Sequence, residues 1–212
     1  MNIALVGATG FVGSKILAEA LQRGHQVTAV VRSAGKLAAA DKLRVVVADA
    51  SDQASLATAI QGHDALVSSF NTRGSADFAQ AYLGGVRSAM GAVKAAGMKR
   101  LIWVGGAGSL FVAPGVQLVD TPQFPTEYRE EARAARDALN VFREERDLDW
   151  TFVSPAPLLV PGARTGRFRL GQDQVLMDGD KPGSISVDDL AVAIVDELEK
   201  SAHVKQRFTL AY

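Results

Sequence analysis

Three glycines near the start of the chain, Gly7, Gly10 and Gly13, constrain the fold more than any other feature. They follow a short apolar run at 2–6 and begin a segment, 11–23, whose apolar residues have helical spacing. In such a strand–turn–helix unit the first glycine permits the tight turn, the second lets the backbone approach a pyrophosphate, and the third permits close helix–strand packing. Free N–H groups at the start of the helix then bind the anion. The spacing therefore predicts a dinucleotide-binding turn rather than a glycine-rich turn without a ligand.

The rest of the chain alternates apolar runs with helical segments, which is typical of a parallel sheet covered on both faces. Further strands are predicted at 26–31, 43–48, 65–70, 100–104, 150–153 and 206–211, and helices at 53–60, 77–96, 127–146 and 186–200. A strand pair is expected within 164–180. With 212 residues, 48% of them hydrophobic, the chain suits one domain with a core of its own. We expect an α/β Rossmann-type, doubly wound domain, with 1–155 binding the dinucleotide and 156–212 forming a small C-terminal, substrate-side elaboration.

The composition argues against several classes of function. Lys+Arg and Asp+Glu both number 23, so the formal net charge is zero and no nucleic-acid partner is expected. The chain has no cysteine and its 3 histidines lie far apart, so no metal site is expected. No signal peptide and no apolar run of about 18 residues is found, so we expect a cytoplasmic protein without a membrane partner. Nothing in the sequence predicts the oligomeric state.

The end of the second predicted strand distinguishes between cofactors. NAD-dependent enzymes place a carboxylate about 20 residues beyond the glycines, where it binds the ribose 2′-hydroxyl. Here the strand ends in Arg32 and Ser33, and an arginine suits a 2′-phosphate. We therefore expect NADP(H) in preference to NAD(H). Asp49, after the third strand, is either an adenine contact or an ordinary turn residue.

Several short strings carry a resemblance that covers essentially the whole chain. GATGFVG at 7–13, the arginine after the second strand and SPA at 154–156 resemble the atypical short-chain dehydrogenase/reductase superfamily. Within it, GGAGSL, DLDWTFVSPA and ISVDDLAVAIVDELE resemble small bacterial NAD(P)-binding proteins described as NADH-flavin reductases. That group is also similar to NmrA-like regulators and to biliverdin reductase B, a flavin reductase.

By position, the resemblance implies a set of cofactor contacts. The phosphate loop would contain Gly7, Thr9, Gly10, Phe11, Val12 and Gly13, and Arg32 would bind the 2′-phosphate. The other implied contacts are Asp49 and Ala50 at the adenine, Ser68, Ser69 and Phe70 at the ribose, and Val104, Gly105, Gly106, Pro155, Ala156 and Pro157 at the nicotinamide.

The chain departs from the superfamily at the catalytic pair, which is normally Tyr-x-x-x-Lys. Four residues after Tyr82 stands Val86, four after Tyr128 stands Ala132, and Tyr212 is the last residue of the sequence. Chemistry that needs such a proton donor is therefore disfavoured. Hydride transfer to a flavin tolerates the absence, because it mainly requires two flat rings to be held together.

Three functions remain compatible with these residues. The first is an NADPH-dependent reductase of a flavin or another flat acceptor, with Ser109 binding a substrate carbonyl and Tyr128 stacking on, or donating to, the bound ring. Arg164 and Arg167 are either contacts for an anionic substrate or surface residues. The second is a non-catalytic, NADP-binding regulator of the NmrA type. The third, an epimerase or isomerase, is disfavoured by the missing pair.

Overall fold

The computed structural model describes residues 1–33, 35, 37–38 and 40–212. Its α-helices are α1 (Gly13–Gln22), α2 (Gln53–Ile60), α3 (Phe78–Ala95), α4 (Arg129–Glu144) and α5 (Val187–Lys200). Its strands are β1 (Asn2–Val6), β2 (Gln26–Val31), β3 (Leu43–Val47), β4 (Ala65–Ser68), β5 (Arg100–Val104), β6 (Phe111–Ala113), β7 (Val116–Gln117), β8 (Asp149–Pro155), β9 (Leu158–Val160), β10 (Arg169–Gly171), β11 (Met177–Asp178), β12 (Lys181–Pro182), β13 (Ser184–Ser186) and β14 (Gln206–Ala211). Short 3-10 turns occupy Ala107–Ser109, Leu118–Asp120 and Thr126–Tyr128.

The central sheet has eight strands in the order β10-β14-β8-β5-β4-β1-β2-β3. Seven of these strands are parallel to one another: β14, β8, β5, β4, β1, β2 and β3. The eighth strand, β10, runs antiparallel to β14. The predicted doubly wound α/β fold is therefore confirmed. The direction of winding reverses at β1, which has β2 on one side and β4 on the other. Ligands of open α/β sheets bind at the carboxyl ends of the strands at such a switch point.

The side chains of each buried strand point alternately to the two faces of the sheet and so contribute to two separate cores. Ile3 and Leu5 of β1 join the core that α1 and α5 cover, whereas Ala4 and Val6 join the core covered by α2, α3 and α4. Successive strand residues point to opposite faces, so a strand that is buried on both sides must be apolar throughout. The result is a three-layer sandwich in which the carboxyl edge of the sheet is left for a site.

Helix α1, which begins at the glycine turn, is tied to the C-terminal third of the chain. Lys15 Nζ lies 3.0 Å from Asp188, and Arg23 Nη1 lies 2.6 Å from Asp196. Glu19 is buried, and the bond from Arg164, 2.7 Å away, is the main cause of its lowered pKa. Arg164 was predicted to be either a substrate contact or a surface residue; the structure shows it half-exposed and bonded to Glu19 of α1, and a substrate contact stays a prediction.

The loop between β9 and β10 is fixed by one buried carboxylate in the first turn of α5, that of Asp189. Its oxygens accept bonds from the backbone N–H groups of Thr165 and Gly166, both at 2.8 Å, and from the hydroxyls of Thr165 and Tyr212. Burial raises the pKa of this carboxyl, but the four donated bonds outweigh burial and bring the pKa below its ordinary value. Asp189 therefore folds as an anion.

The expected strand pair within 164–180 takes a different form. β10 pairs with β14, in the register Leu170 to Leu210, while β11 pairs with β12 in a small hairpin. The reason is that β14 would otherwise be a free sheet edge, and an edge offers unpaired backbone groups to the nearest extended segment. Residues beyond 155 thus contribute two strands of the central sheet, β10 and β14, and the loops near its carboxyl edge. Among the described helices, none is long and apolar enough to cross a bilayer.

Candidate functional site

The glycine turn between β1 and α1 is shaped by contacts that exclude side chains. Gly7 has φ of +85°, in the left-handed region that glycine adopts without strain. A Cβ at Gly13 would lie 2.5 Å from the carbonyl carbon of Gly7 and 2.7 Å from Ser69 Oγ. At Gly10 the nearest atom to a Cβ is 3.3 Å away, so this position is much less crowded. Gly7 and Gly13 therefore close the turn, while Gly10 leaves its outer surface open to a ligand.

The end of β4 supports the same turn from below. Ser69 donates through its N–H to Val6 O at 3.1 Å and through its hydroxyl to the same oxygen at 3.2 Å. Ser68 is buried, and its Oγ accepts a bond from the Phe70 N–H at 3.3 Å. Ser69 and Phe70 reach the surface of the site, whereas Ser68 acts one layer deeper.

A cleft of about 890 Å³ lies over the carboxyl ends of β1, β4 and β5 and beside the residues that follow β8. Its lining includes eleven of the predicted positions: Gly10, Phe11, Val12, Gly13, Ser69, Phe70, Val104, Gly105, Gly106, Tyr128 and Pro157. The volume is at the upper end for a small-molecule site. A cleft of this volume can hold part of a dinucleotide together with a second flat molecule.

The floor of the cleft is aromatic. Phe70 lies 6.5 Å from Tyr82 and 6.1 Å from Trp103, measured between ring centroids, and Phe78 stacks on Tyr82 at 5.6 Å. Phe70, Phe78 and Tyr82 line the cleft directly. At Gly105 a Cβ would collide with the ring of Phe152, so the bare backbone forms this part of the wall. Such a surface suits flat rings.

The predicted adenine end lies at the neighbouring strands. β2 and β3 pair in the register Val31 to Val47, so Arg32 and Asp49 follow adjacent strand ends, and both are exposed. Ser51 donates from its hydroxyl at 2.6 Å and from its N–H at 2.9 Å to the Asp49 carboxylate. These bonds, with a contribution from the nearby charge of Arg32, lower the pKa of Asp49.

The Asp49 carboxylate is thus part of a local turn, which was one of its two predicted roles. Ala50 is half-buried, and its carbonyl accepts the hydroxyl of Ser88 at 2.9 Å, while Thr9 is exposed in the glycine turn. Cofactor contacts at these positions stay predictions.

Besides Ser68, three predicted residues are buried beneath the surface and do not line the cleft. Pro155 and Ala156 are buried at the end of β8, and only Pro157 of that segment lines the cleft. Ser109 is 1% exposed, and its hydroxyl accepts a bond from Arg207 Nη1 at 3.1 Å. The expected substrate contact of Ser109 does not fit this geometry, because the hydroxyl supports the turn at 107–109 from inside. Gly7 likewise shapes the turn without lining the cleft.

Several cleft residues were not found from the sequence. They come from the loop after β4 and from α4, namely Asn71, Arg73, Glu131, Ala132 and Ala135. Arg73 and Glu131 form a two-bond ion pair across the opening, with both N–O distances 2.9 Å. Beside them Tyr128 is 52% exposed, as its predicted role requires, and Phe124 also lines the cleft. Arg167 is exposed and lies outside the lining.

The cleft offers no tyrosine–lysine pair in the part of the chain that the structure describes, since no lysine lines it. Tyr82 is buried, accepts a bond from Trp103 Nε1 at 2.8 Å, and has a pKa raised by burial to about 12. Tyr212 is bonded to Asp189, far along the chain from the glycine turn. Within the described residues, no group of three or more histidine, cysteine or carboxylate side chains could hold a metal ion.

Comparison with known proteins agrees with this geometry. Residues 7–201 match the family described as NAD(P)H-binding. The uncharacterized protein YwnB of Bacillus subtilis is 38% identical over 213 residues, which cover 99% of this chain and 98% of that protein.

Solved structures of similar proteins cover the full chain. A Bacteroides thetaiotaomicron protein, whose description proposes an epimerase, is 41% identical with a TM-score of 0.93, over 100% of this chain and 96% of that one. A Streptococcus pneumoniae protein, whose description proposes an NADH-flavin reductase, is 34% identical with a TM-score of 0.86, over 100% and 99%. A Burkholderia pseudomallei protein, whose description proposes an exported protein, is 43% identical with a TM-score of 0.90, over 100% of both chains. With its glycine turn, its switch-point cleft and these matches, the chain belongs to the NAD(P)H-binding Rossmann family, in line with its resemblance to atypical short-chain dehydrogenases/reductases.

Proposed function

We propose that this protein is an NADPH-dependent reductase that transfers hydride to a flavin or a similarly flat conjugated acceptor. One observation carries the proposal. A single cleft has the glycine turn on one wall, aromatic rings on its floor and backbone at Gly105, and its described lining lacks the acid–base pair of carbonyl reductases. An acceptor that takes its proton from water needs no such pair.

We assign each group of residues a role from its position in the cleft. Gly10 and the N-terminus of α1 would bind the pyrophosphate, since the N–H groups of Phe11, Val12 and Gly13 have no backbone acceptor among the described residues. Val104, Gly105 and Gly106 would carry the nicotinamide, which supplies the hydride when bound. Phe124 and Tyr128 would hold the acceptor from the other side. The protein's contribution is then the alignment of two rings and the exclusion of water between them.

The preference for NADPH is part of the proposal and rests on Arg32. The side chain is exposed at the carboxyl end of β2, beside the position that binds the ribose in this fold. A charge-assisted bond to the 2′-phosphate contributes about 1.5–3 kcal/mol, or roughly ten- to a hundredfold in affinity. The cytoplasmic location expected from the sequence belongs to the same proposal.

The test is to follow NADPH oxidation at a fixed wavelength with FMN, FAD, riboflavin and a quinone in turn, alongside direct titration of NADPH and NADH. We expect oxidation above the protein-free rate with at least one flavin and a preference for NADPH that Arg32→Ala removes. Tight NADPH binding without oxidation of any acceptor would refute the reductase and favour the NADP-binding regulator. An unchanged coenzyme preference in Arg32→Ala would remove Arg32 as the reader of the 2′-phosphate.

A further inference from the structure

The described lining of the cleft contains one cationic and one anionic side chain, and the two are paired with each other. Arg73 donates from Nε and Nη2 to the two carboxylate oxygens of Glu131, in the planar two-bond arrangement that arginine favours. Everything else in that lining is apolar, aromatic, amide, hydroxyl or backbone. One ion pair in an otherwise uncharged lining is therefore a feature to be explained.

The two partners come from different elements and meet over the opening. Arg73 stands in the loop between β4 and α3, with its N–H bonded to Asn71 Oδ1 at 2.7 Å. Glu131 stands in the first turn of α4. The Arg73 side chain is 68% exposed, whereas that of Glu131 is 29% exposed. The carboxylate is thus the anchored partner, and the guanidinium is the one with room to move.

An ion pair as exposed as this contributes little to stability. Its guanidinium has five N–H donors, of which Glu131 takes two, and Nη1 has no bond among the described residues. Arg73 can therefore bind a second oxyanion with its remaining donors, or exchange Glu131 for it, at small cost. A phosphate or a carboxylate matches this fork, whereas a neutral ring gives it nothing to bind.

We propose that the acceptor is anionic, and that Arg73 recognises a phosphate or carboxylate group on it while Glu131 holds the guanidinium in position. This inference rests on the proposed function, because it names the acceptor class of the same cleft. Glu131 also opposes the acceptor's charge, so it limits how tightly the anion binds. The two residues therefore act in opposite directions on an anionic acceptor and have no effect on a neutral one.

Three flavins with the same ring system separate the charge from the ring: riboflavin is neutral, FMN carries a phosphate and carboxymethylflavin carries a carboxylate. Binding is measured by quenching of flavin fluorescence on the full chain saturated with NADP⁺, which has no hydride to give. We expect FMN or carboxymethylflavin, or both, to bind about tenfold or more tightly than riboflavin, with an advantage that falls as salt is raised. Whichever of the two binds more tightly identifies the source of the anion.

Variants then assign the effect. Arg73→Gln should reduce the anionic flavins to the affinity of riboflavin and leave riboflavin within about twofold, and Arg73→Lys should lie between. Glu131→Gln should tighten the anionic flavins a few-fold. Arg87→Gln, an exposed arginine of α3 outside the cleft lining, removes the same charge and should change none of them.

Three outcomes would overturn the inference. The first is equal affinity for all three flavins. The second is an Arg73→Gln variant that loses affinity for riboflavin or NADP⁺ instead of for the anionic flavins. The third is a loss of affinity in Glu131→Gln as large as that in Arg73→Gln, which a merely structural pair would give. Since the assay needs no turnover, the expected pattern together with failure to oxidise NADPH would keep the anion site and refute the reductase. Oxidation of NADPH with equal use of FMN and riboflavin would do the reverse.

Discussion

Substituting Gly13 by alanine tests the argument about the glycine turn most directly. The added Cβ would lie 2.5 Å from the carbonyl carbon of Gly7, and even closer to its oxygen, whereas real Cβ atoms essentially never come within 3.0 Å of another heavy atom. The atoms in the way belong to the backbone of the turn itself and to Ser69, whose hydroxyl is held by Val6 O. The turn must therefore move away from α1, and the N–H groups that we propose to bind the pyrophosphate move with it.

The size of the effect follows from two opposing contributions. Overpacking costs about 1–3 kcal/mol, and we take the upper end because the obstructing atoms are backbone. Alanine at the start of α1 recovers at most about 1 kcal/mol of helix propensity. The net loss is about 2 kcal/mol, which lowers the Tm of a chain this long by roughly 4–8 °C. Displacement of the turn should also weaken NADP⁺ binding by at least about tenfold, the equivalent of one charge-assisted bond.

Gly10→Ala is the matched control, because its Cβ would stay 3.3 Å from the nearest atom. This variant should keep its Tm within about 2 °C of the unmodified protein, since nothing in the turn has to move far. It should still lose NADP⁺ affinity, because its methyl group stands where the pyrophosphate approaches the backbone. Thermal unfolding by circular dichroism and NADP⁺ titration of both variants give the comparison. A Gly13→Ala protein with unchanged Tm, or a Gly10→Ala protein that melts lower than Gly13→Ala, would refute the reasoning.

Three further expectations concern residues that support the site. Folding lowers the pKa of Asp189, so the stabilisation from its charge is complete above the unfolded pKa near 4 and is lost as the pH falls through the lower, folded pKa. In thermal melts, the difference in Tm between the unmodified protein and Asp189→Asn should therefore narrow between about pH 6 and pH 3. Tyr82→Phe leaves the buried Trp103 Nε1 without its acceptor and should cost about 1–3 kcal/mol in urea unfolding, with a loss below about 0.5 kcal/mol speaking against the bond. Ser109→Ala should cost about 1 kcal/mol of stability and leave kcat with the best flavin within about threefold, and a much larger fall in kcat would restore its predicted role as a substrate contact.

The glycine turn could be predicted from the sequence because its cause is local. Gly7, Gly10 and Gly13 lie within one turn between one strand and one helix, and the conformation that each permits is a property of the backbone at that point. The parallel strands of the central sheet could be predicted for a related reason, since burial on both faces makes them largely apolar.

The other wall of the cleft could not be predicted, because its contacts join residues far apart in the chain. Arg73 and Glu131 meet only when the loop after β4 and the first turn of α4 are packed side by side. The sequence does not show that the Ser109 hydroxyl has a partner, because only the fold brings the guanidinium of Arg207, from β14, against it. The pairing of β10 with β14 could not be predicted either, because it also joins residues far apart in the chain.

Helices α1 and α5 share one core, but α1 is synthesised early and α5 late. The face of the sheet that α2, α3 and α4 cover can close as those helices emerge, but α1 carries apolar residues such as Ile16 and Ala20 that await α5. About 165 residues separate the two helices, which at roughly 5–20 residues per second means about 8–33 s of translation. Throughout that interval the helix that begins at the glycine turn has an uncovered apolar side. The segment that we propose to bind the pyrophosphate therefore completes its packing only after α5 has been synthesised.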